Sequence, residues 1–441
     1  MSGRKSSGGR GRAGGNRAAG DVSGNVSGNV AGNVSGDRSG GNISGNVIGE
    51  RSGGKLSGER GSGGHVAGER GGGSSRLFGA ESTRFFHGLT PDRILGAVEQ
   101  SGLTCTGRCL ALNSMENRVY DIEVEVEGEV RSPSDRFRVA KFYRPGRWSR
   151  EQILEEHRFL RELAEAEIPV VPPLPLGGGT GDGEDERAAL GGDTRDQDDD
   201  DTTICDDAGA TLGELSDLGI YFALFPRVGG RLSDEISEAE AEQLGRLLAR
   251  VHMVGARSTA PSRLQLDVDT YGRGNLEYLL ESGTIPAPYR DRYRHVAEAI
   301  CDRAQPWFAQ ADVQRIHGDC HLGNILWGRD GAMLVDFDDM LRGPCVQDLW
   351  LIAPGRDEWA RARRRALIDG YEQLRDFDHS TLRLVEPLRA LRLLHFAAWI
   401  ARRWEDAAFA RVFTDFRTDR YWVEQVEALQ ECLGSLDEPG A

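Results

Sequence analysis

The chain is predicted to fold as α+β, and three observations carry that prediction. Short apolar runs bounded by turn residues follow position 100. From position 238 the apolar spacing changes to the helical period of three and four. The first eighty positions hold almost no large apolar side chains, so the folded part begins after them.

Residues 1–78 form a Gly/Ser/Asn-rich low-complexity tail, in which Ser23-Gly24-Asn25-Val26 recurs with a four-residue period. Such a segment has little apolar surface to offset the entropy of ordering, and disorder is expected there. Thr90-Pro91-Asp92 then reads as a helix start, with a threonine cap, a proline in the first turn and an acid near the positive end. That helix is expected over 92–100 and ends at Ser101-Gly102. Strands are expected at 110–113 and 118–126, joined by the Ser-Met-Glu-Asn turn, and at 137–143. An amphipathic helix follows over 149–165. Between Asp182 and Asp207 stand twelve acidic and two basic residues, most of the net charge of −16, so an acidic, disordered insertion is expected at about 178–210. A buried strand at 221–225 and a linker at 226–230 lead into helices expected at 238–254, 288–307, 358–377, 382–404 and 421–433.

Composition narrows the function. No basic patch suggests a specific nucleic-acid partner. No apolar run approaches the roughly 20 residues of a membrane span, and the N-terminus lacks the apolar core of a secretory signal. Seven cysteines are scattered, and only Cys105 and Cys109 lie close together, so reduced thiols in a cytoplasmic protein are expected. A monomer is expected.

The most informative stretch is His317-Gly318-Asp319-Cys320-His321-Leu322-Gly323-Asn324, followed twelve residues later by Asp336-Phe337-Asp338-Asp339. Two short apolar runs lie between, Ile325-Leu326-Trp327 and Met333-Leu334-Val335. This spacing supplies what phosphoryl transfer from ATP needs. Asp319 is the candidate base that accepts the proton of the attacking hydroxyl. Asn324 and Asp336 are candidate magnesium ligands, since magnesium takes hard oxygen donors and ATP supplies others. Asp336 thus counts among the catalytic residues with Asp319. Asp338 shares its side of the strand, which leaves an auxiliary metal role open. Lys141 sits among apolar Val139, Ala140 and Phe142 and so needs an anion, read as the ATP phosphates. A glutamate on the next helix is expected to hold it, and Glu156 is favoured over Glu155. The Ser114–Asn117 turn stands where other kinases carry a glycine-rich phosphate loop. His317 is read as a loop brace, His252 as a packed helix residue, and Asp348 as a buried acid accepting amides of the catalytic loop.

Protein kinases carry H-R-D-x-x-x-x-N and D-F-G. Here Gly318 replaces the arginine and Asp338 the glycine. The run H-G-D-x-H-x-x-N with D-x-D instead resembles the aminoglycoside-phosphotransferase-like kinases and, within them, the bacterial stress response kinase A family. The resemblance covers about 85–435. It is supported by the blocks Leu112 to Tyr120, Val139 to Pro145, Ile153 to His157, Phe225 to Gly230, Val346 to Trp350 and Glu386 to Ala390. It implies a bilobal protein-kinase-like fold, with a small β-rich N-lobe at 79–226 and a larger, mainly helical C-lobe at 227–441. It further implies a nucleotide contact for Ser114, and ATP and Mg²⁺ as phosphoryl donor and cofactor. The implied activity is that of a serine/threonine protein kinase in stress response and cell survival, acting on protein substrates and on itself. Two rivals remain at this stage: a small-molecule phosphotransferase for an aminoglycoside, choline or homoserine, and a nucleotide-binding pseudokinase scaffold. Arg389, Arg392, Arg402 and Arg403 in the C-terminal helices suit an anionic or peptide acceptor better than a polycation, unless they only solvate helix faces.

Overall fold

Thr90 accepts a hydrogen bond from the Arg93 amide and Pro91 fills the first turn, so helix α1 (Pro91–Glu99) starts where its sequence dictates. A computed structural model describes residues 83–112, 114–126, 128–130, 132–177, 202–204 and 210–436. The expected tail at 1–78, and all of the acidic insertion except 202–204 and its last residue, lie outside them.

Strands β1 (Cys105–Leu112), β2 (Arg118–Val124) and β3 (Phe137–Phe142) follow α1. Helix α2 (Arg150–Glu165) comes next. Its Ser149 side chain and Gln152 form a reciprocal cap. Strands β4 (Thr202–Ile204), β5 (Gly213–Leu215) and β6 (Ile220–Pro226) complete an antiparallel sheet ordered β1-β2-β3-β6-β5-β4. Strand β1 begins five residues earlier than expected. It lies at an edge, is mostly exposed and is irregular between Cys105 and Cys109, so it shows no apolar alternation to read. Strand β4 falls within the stretch expected to be a disordered insertion, and pairs antiparallel with β5. Phe142, Phe222, Leu224, Ile122 and Ala140 pack with Ile94 and Val98 of α1 on one face of the sheet. Alternation therefore sends Lys141 to the other face.

The C-lobe runs α3 (Glu238–Gly255), a turn of π-helix at Val268–Arg273, α4 (Gly274–Glu281) and α5 (Ala287–Phe308). Four short strands carry the motif region: β7 (Gln314–Ile316), β8 (Ile325–Gly328), β9 (Gly331–Leu334) and β10 (Leu341–Gly343). They pair as β7 with β10 and β8 with β9. Helices α6 (Val346–Ile352), α7 (Glu358–Glu372), α8 (Val385–Arg402), α9 (Ala407–Val412) and α10 (Asp419–Gly434) follow. The helix expected over 358–377 ends at Glu372. The one expected from 382 begins at Val385, because Asp378 caps a 3-10 turn at His379–Leu384. Helices α3 and α7 meet at two glycines. A Cβ on Gly245 would stand 2.0 Å from the Leu367 carbonyl oxygen, and one on Gly370 2.1 Å from that of Glu242. Among the described residues no helix is long and apolar enough to cross a membrane.

Candidate active site

The loop that carries Asp319 is built from below. The Asp348 carboxylate, fully buried on α6, accepts the His317 and Gly318 amides at 2.8 Å each. Its own orientation is fixed by His252 Nε2 at 3.1 Å, and His252 Nδ1 lies 3.1 Å from the Tyr371 hydroxyl. Burial works against a charged imidazole there. The neighbouring Cys345 and Asp348 outweigh it and push His252 up to about 9. His252 is therefore packed, as read from sequence, and it also orients the acid under the loop. Gly318 sits at φ +85°, and a Cβ on it would stand 2.4 Å from the Asp339 carbonyl oxygen. Only glycine fits, which accounts physically for the departure from H-R-D. His317 Nε2 lies 3.0 Å from the Val335 carbonyl oxygen, and its ring is 4.4 Å from that of Phe337. It thus braces the Asp319 loop against the Asp336 segment.

Asp319 Oδ1 receives Arg392 Nη1 at 2.7 Å, and Oδ2 lies 3.4 Å from His321 Nε2. Burial alone would raise this carboxyl. Arg392 and His321 reverse the effect and hold it well below the usual carboxylate range. Asn324 donates through Nδ2 to the Asp319 carbonyl at 2.9 Å, while its Oδ1 is buried without a hydrogen-bond partner. An orphaned amide oxygen is costly unless something binds it. The Val335 amide donates to the Asn324 carbonyl, and β8 pairs with β9, so Asp336 enters beside Asn324. Asp336 is left-handed at φ +60°, a conformation that aspartate tolerates better than most residues. One amide oxygen and one carboxylate make a hard-oxygen donor set that fits magnesium.

Lys141 approaches from the N-lobe. Its Nζ stands 2.9 Å from Asp338 Oδ1, and 3.7 Å from both Glu156 Oε1 and Asp336 Oδ1. Desolvation opposes its charge, but these carboxylates dominate and hold the amine well above its ordinary value. The choice between the two glutamates is decided by geometry. Glu155 accepts the backbone amides of Ser262 and Arg263 at 3.1 and 3.0 Å. Glu156 faces Lys141 and the Arg263 guanidinium, at 3.3 Å, and burial pushes its carboxyl up to about 7 against the pull of Lys141. Asp338 is engaged by three N-lobe side chains: Lys141, Arg147 and the Asn117 amide at 3.2 Å.

Ser114 stands half-buried at the start of the β1–β2 turn. The residues after it do more than sequence reasoning assigned to them. Glu116 accepts Trp399 Nε1 at 2.7 Å and Arg403 Nε at 3.0 Å from α8, and pairs with Arg144 at 2.9 Å. Burial raises its carboxyl, yet Arg403, Arg147 and Arg144 bring it down to about 2. The turn is thereby fastened across the cleft onto the C-lobe. Arg389, Arg402 and Arg403 are 6%, 7% and 4% exposed, so the reading that these arginines solvate helix faces fails for all three. Arg147, Arg263 and Glu116 were missed because loops and turns carry no period. The available signal was weak: charged residues inside blocks that are otherwise apolar or turn-forming.

The Phosphotransferase enzyme family profile matches residues 112–385. Stress response kinase A of Escherichia coli strain K12 is 35% identical over 356 residues, covering 80% of this chain and 95% of that protein. The serine/threonine protein kinase RdoA of Salmonella typhimurium strain LT2 is 33% identical over the same shares of each chain. In three dimensions, a microcompartment-associated aminopropanol kinase superposes with a TM-score of 0.53 at 18% identity, covering 79% of this chain and 98% of that one. Amicoumacin kinase hAmiN in complex with AMP-PNP, Ca²⁺ and Ami gives 0.51 at 18%, with 74% and 92% covered. A profile spanning more than half the chain, joined to relatives aligned over nearly their whole length, places this chain in the phosphotransferase enzyme family, among the stress response kinase A proteins.

Proposed function

We propose that this protein is an ATP- and Mg²⁺-dependent serine/threonine protein kinase, with an N-lobe at 79–226 and a C-lobe at 227–441, acting in bacterial stress survival. The observation that carries the reading is the convergence of Asp319, the orphaned Asn324 Oδ1, Asp336 and the Lys141–Glu156 pair in one cleft between the lobes. Asp319 orients the acceptor hydroxyl and takes its proton as the oxygen bonds to the γ-phosphorus and the bond to the β,γ-bridging oxygen breaks, releasing ADP. Asn324 and Asp336 would hold the magnesium, which neutralises charge on the phosphates when bound. Lys141, positioned by Glu156, contacts the phosphates, and the Ser114 turn covers them.

A protein acceptor is favoured over an aminoglycoside or choline by the makeup of the cleft's α8 wall, where buried guanidiniums stand in place of the carboxylates or aromatic cage a cationic acceptor requires. The relative named as a serine/threonine protein kinase points the same way. The test is incubation of the full chain with labelled ATP and Mg²⁺, alone, with a protein extract, and with kanamycin or choline, followed by mass spectrometry. Phosphoserine or phosphothreonine on the chain itself or on extract proteins is expected. Phosphokanamycin or phosphocholine with no phosphoprotein overturns the assignment.

A further inference from the structure

Arg392, His395, Trp399 and Arg402 recur at steps of three, four and three along α8 and so share one face of the helix, and Arg403 caps its C-terminal end. One end of that face holds Asp319 through Arg392, and the other holds the β1–β2 turn through Trp399 and Arg403. The face is a wall running from the phosphorylation point along the cleft.

Beside it lies a pocket lined by Arg147, Tyr271, His395, Trp399, Arg402 and Arg403, with Asp339 as the one carboxylate in the lining. Three guanidiniums and one carboxylate line it, and two further acids, Asp338 and Glu116, pair with those guanidiniums from beside the pocket. His395 stacks on Tyr271 with ring centroids 4.5 Å apart. Burial, and then the surrounding arginines, push the imidazole down to about 3, so it stays neutral and adds no charge. The pocket has about 10 Å³ of room, enough for one water. All three guanidiniums have partners within the protein: Arg402 donates to Asn275 Oδ1 at 2.9 Å and lies over the Tyr278 ring, and the other two meet the protein's own carboxylates. Arg147 is bonded to Asp338 and Asp339, and Arg403 to Glu116. The C-terminal turn of a helix favours cations, and Asn275 and Glu116 are the buried partners that hold Arg402 and Arg403 inside the fold.

We propose that the acceptor carries a carboxylate near the hydroxyl that is phosphorylated, and that this face of α8 holds it by exchange with those internal partners. Resting on the protein-kinase reading above, the carboxylate belongs to an Asp or Glu close in sequence to the target Ser or Thr. The ten residues from Arg392 to Arg402 span about 15 Å of helix, which an extended peptide covers in about four or five residues. The acid therefore lies within that distance of the target. A face of planar guanidiniums discriminates in favour of carboxylates and against ammonium groups.

The test uses the full chain with ATP and Mg²⁺ on matched serine peptides whose flanks carry Asp, Ala or Lys, with D-glycerate, choline and kanamycin as small acceptors. The Asp peptide is expected to show a kcat/KM at least about 10-fold above the Ala peptide, the size of one charge-assisted hydrogen bond, with the Lys peptide lowest. Arg402→Gln should collapse the Asp-to-Ala ratio toward one through KM, while Arg402→Lys keeps part of it. Equal rates on the three peptides, or a preference for Lys flanks, overturn the proposal. If no peptide reacts and D-glycerate is phosphorylated in preference to choline and kanamycin, the protein-kinase reading falls and the carboxylate-bearing acceptor stands. Transfer to choline or kanamycin alone overturns both.

Discussion

Arg392 Nη1 lies 2.7 Å from Asp319 Oδ1, so the proposed base is ion-paired to the helix that walls the acceptor side. The pair holds the Asp319 carboxyl well below its ordinary value. The stability this brings is complete above the unfolded value near 4 and is lost as pH falls through the lower folded value. Arg392→Met should therefore move the acidic limb of kcat/KM to higher pH. It should also lower Tm at neutral pH, by an amount that shrinks below about pH 4. An unmoved acidic limb would show that Asp319 does not set it. Asp319→Asn should reduce turnover by roughly 10²–10⁴-fold with nucleotide binding retained; near-normal turnover under saturating ATP would remove Asp319 from the role of base.

Asn324 Oδ1 has no hydrogen-bond partner, and Asp336 enters beside it. Asp336→Ala and Asn324→Ala should each weaken nucleotide binding measured with Mg²⁺ far more than binding measured in EDTA. Calorimetric titration under both conditions checks this, and equal losses in the two would exclude these residues as metal ligands.

Gly318 has both a positive φ and no space for a Cβ. Gly318→Ala should cost about 1–3 kcal/mol of stability and lower kcat further, because relief of the clash displaces Asp319. Thermal melting and steady-state kinetics together check it. Unchanged kcat with a lowered Tm would mean that the loop absorbs the strain away from the base.

Glu116 is buried, and its carboxyl is brought down to about 2 by three arginines. Its contribution, at most about 3 kcal/mol at about 1.4 kcal/mol per unit, is complete above the unfolded value near 4.3 and fades as pH falls toward 2. Glu116→Gln should lower Tm at pH 7, with the gap to the parent narrowing between pH 4.5 and 3. A gap that stays constant with pH would assign the loss to packing instead of charge.

The parts of the site that could be read from sequence were those where chemistry conflicts with local pattern. A lysine between Val139, Ala140 and Phe142 needs an anion; the expected glutamate stands beside it, joined by Asp336 and Asp338, whose approach to it the sequence did not reveal. Asp348 in an apolar helix needs donors, and it has the loop amides. Glu155 and Glu156 could be separated only weakly by helical angle, because both are buried and what distinguishes them is a distant loop at 262–263. Arg147 lies in a connection without periodicity, and its target is 191 residues away. The first five residues of the edge strand β1 escaped for the converse reason: exposed on most of its length, the strand has no buried face to leave an alternating trace.

Two adjacent glutamates grip one arginine from opposite ends. Glu155 holds the Arg263 backbone amide, Glu156 its guanidinium, and the same guanidinium also donates to the Asp338 carbonyl at 3.0 Å. Helix α2 is thus bolted to a C-lobe loop and, through it, to the segment that follows Asp336. Kinases that switch by swinging this helix need a hinge beneath it. Here such a swing would have to strip a buried guanidinium of its partners, a penalty of several kcal/mol in a dry site. The helix is a fixed datum, and the position of the Lys141 amine beside Glu156 is set by it.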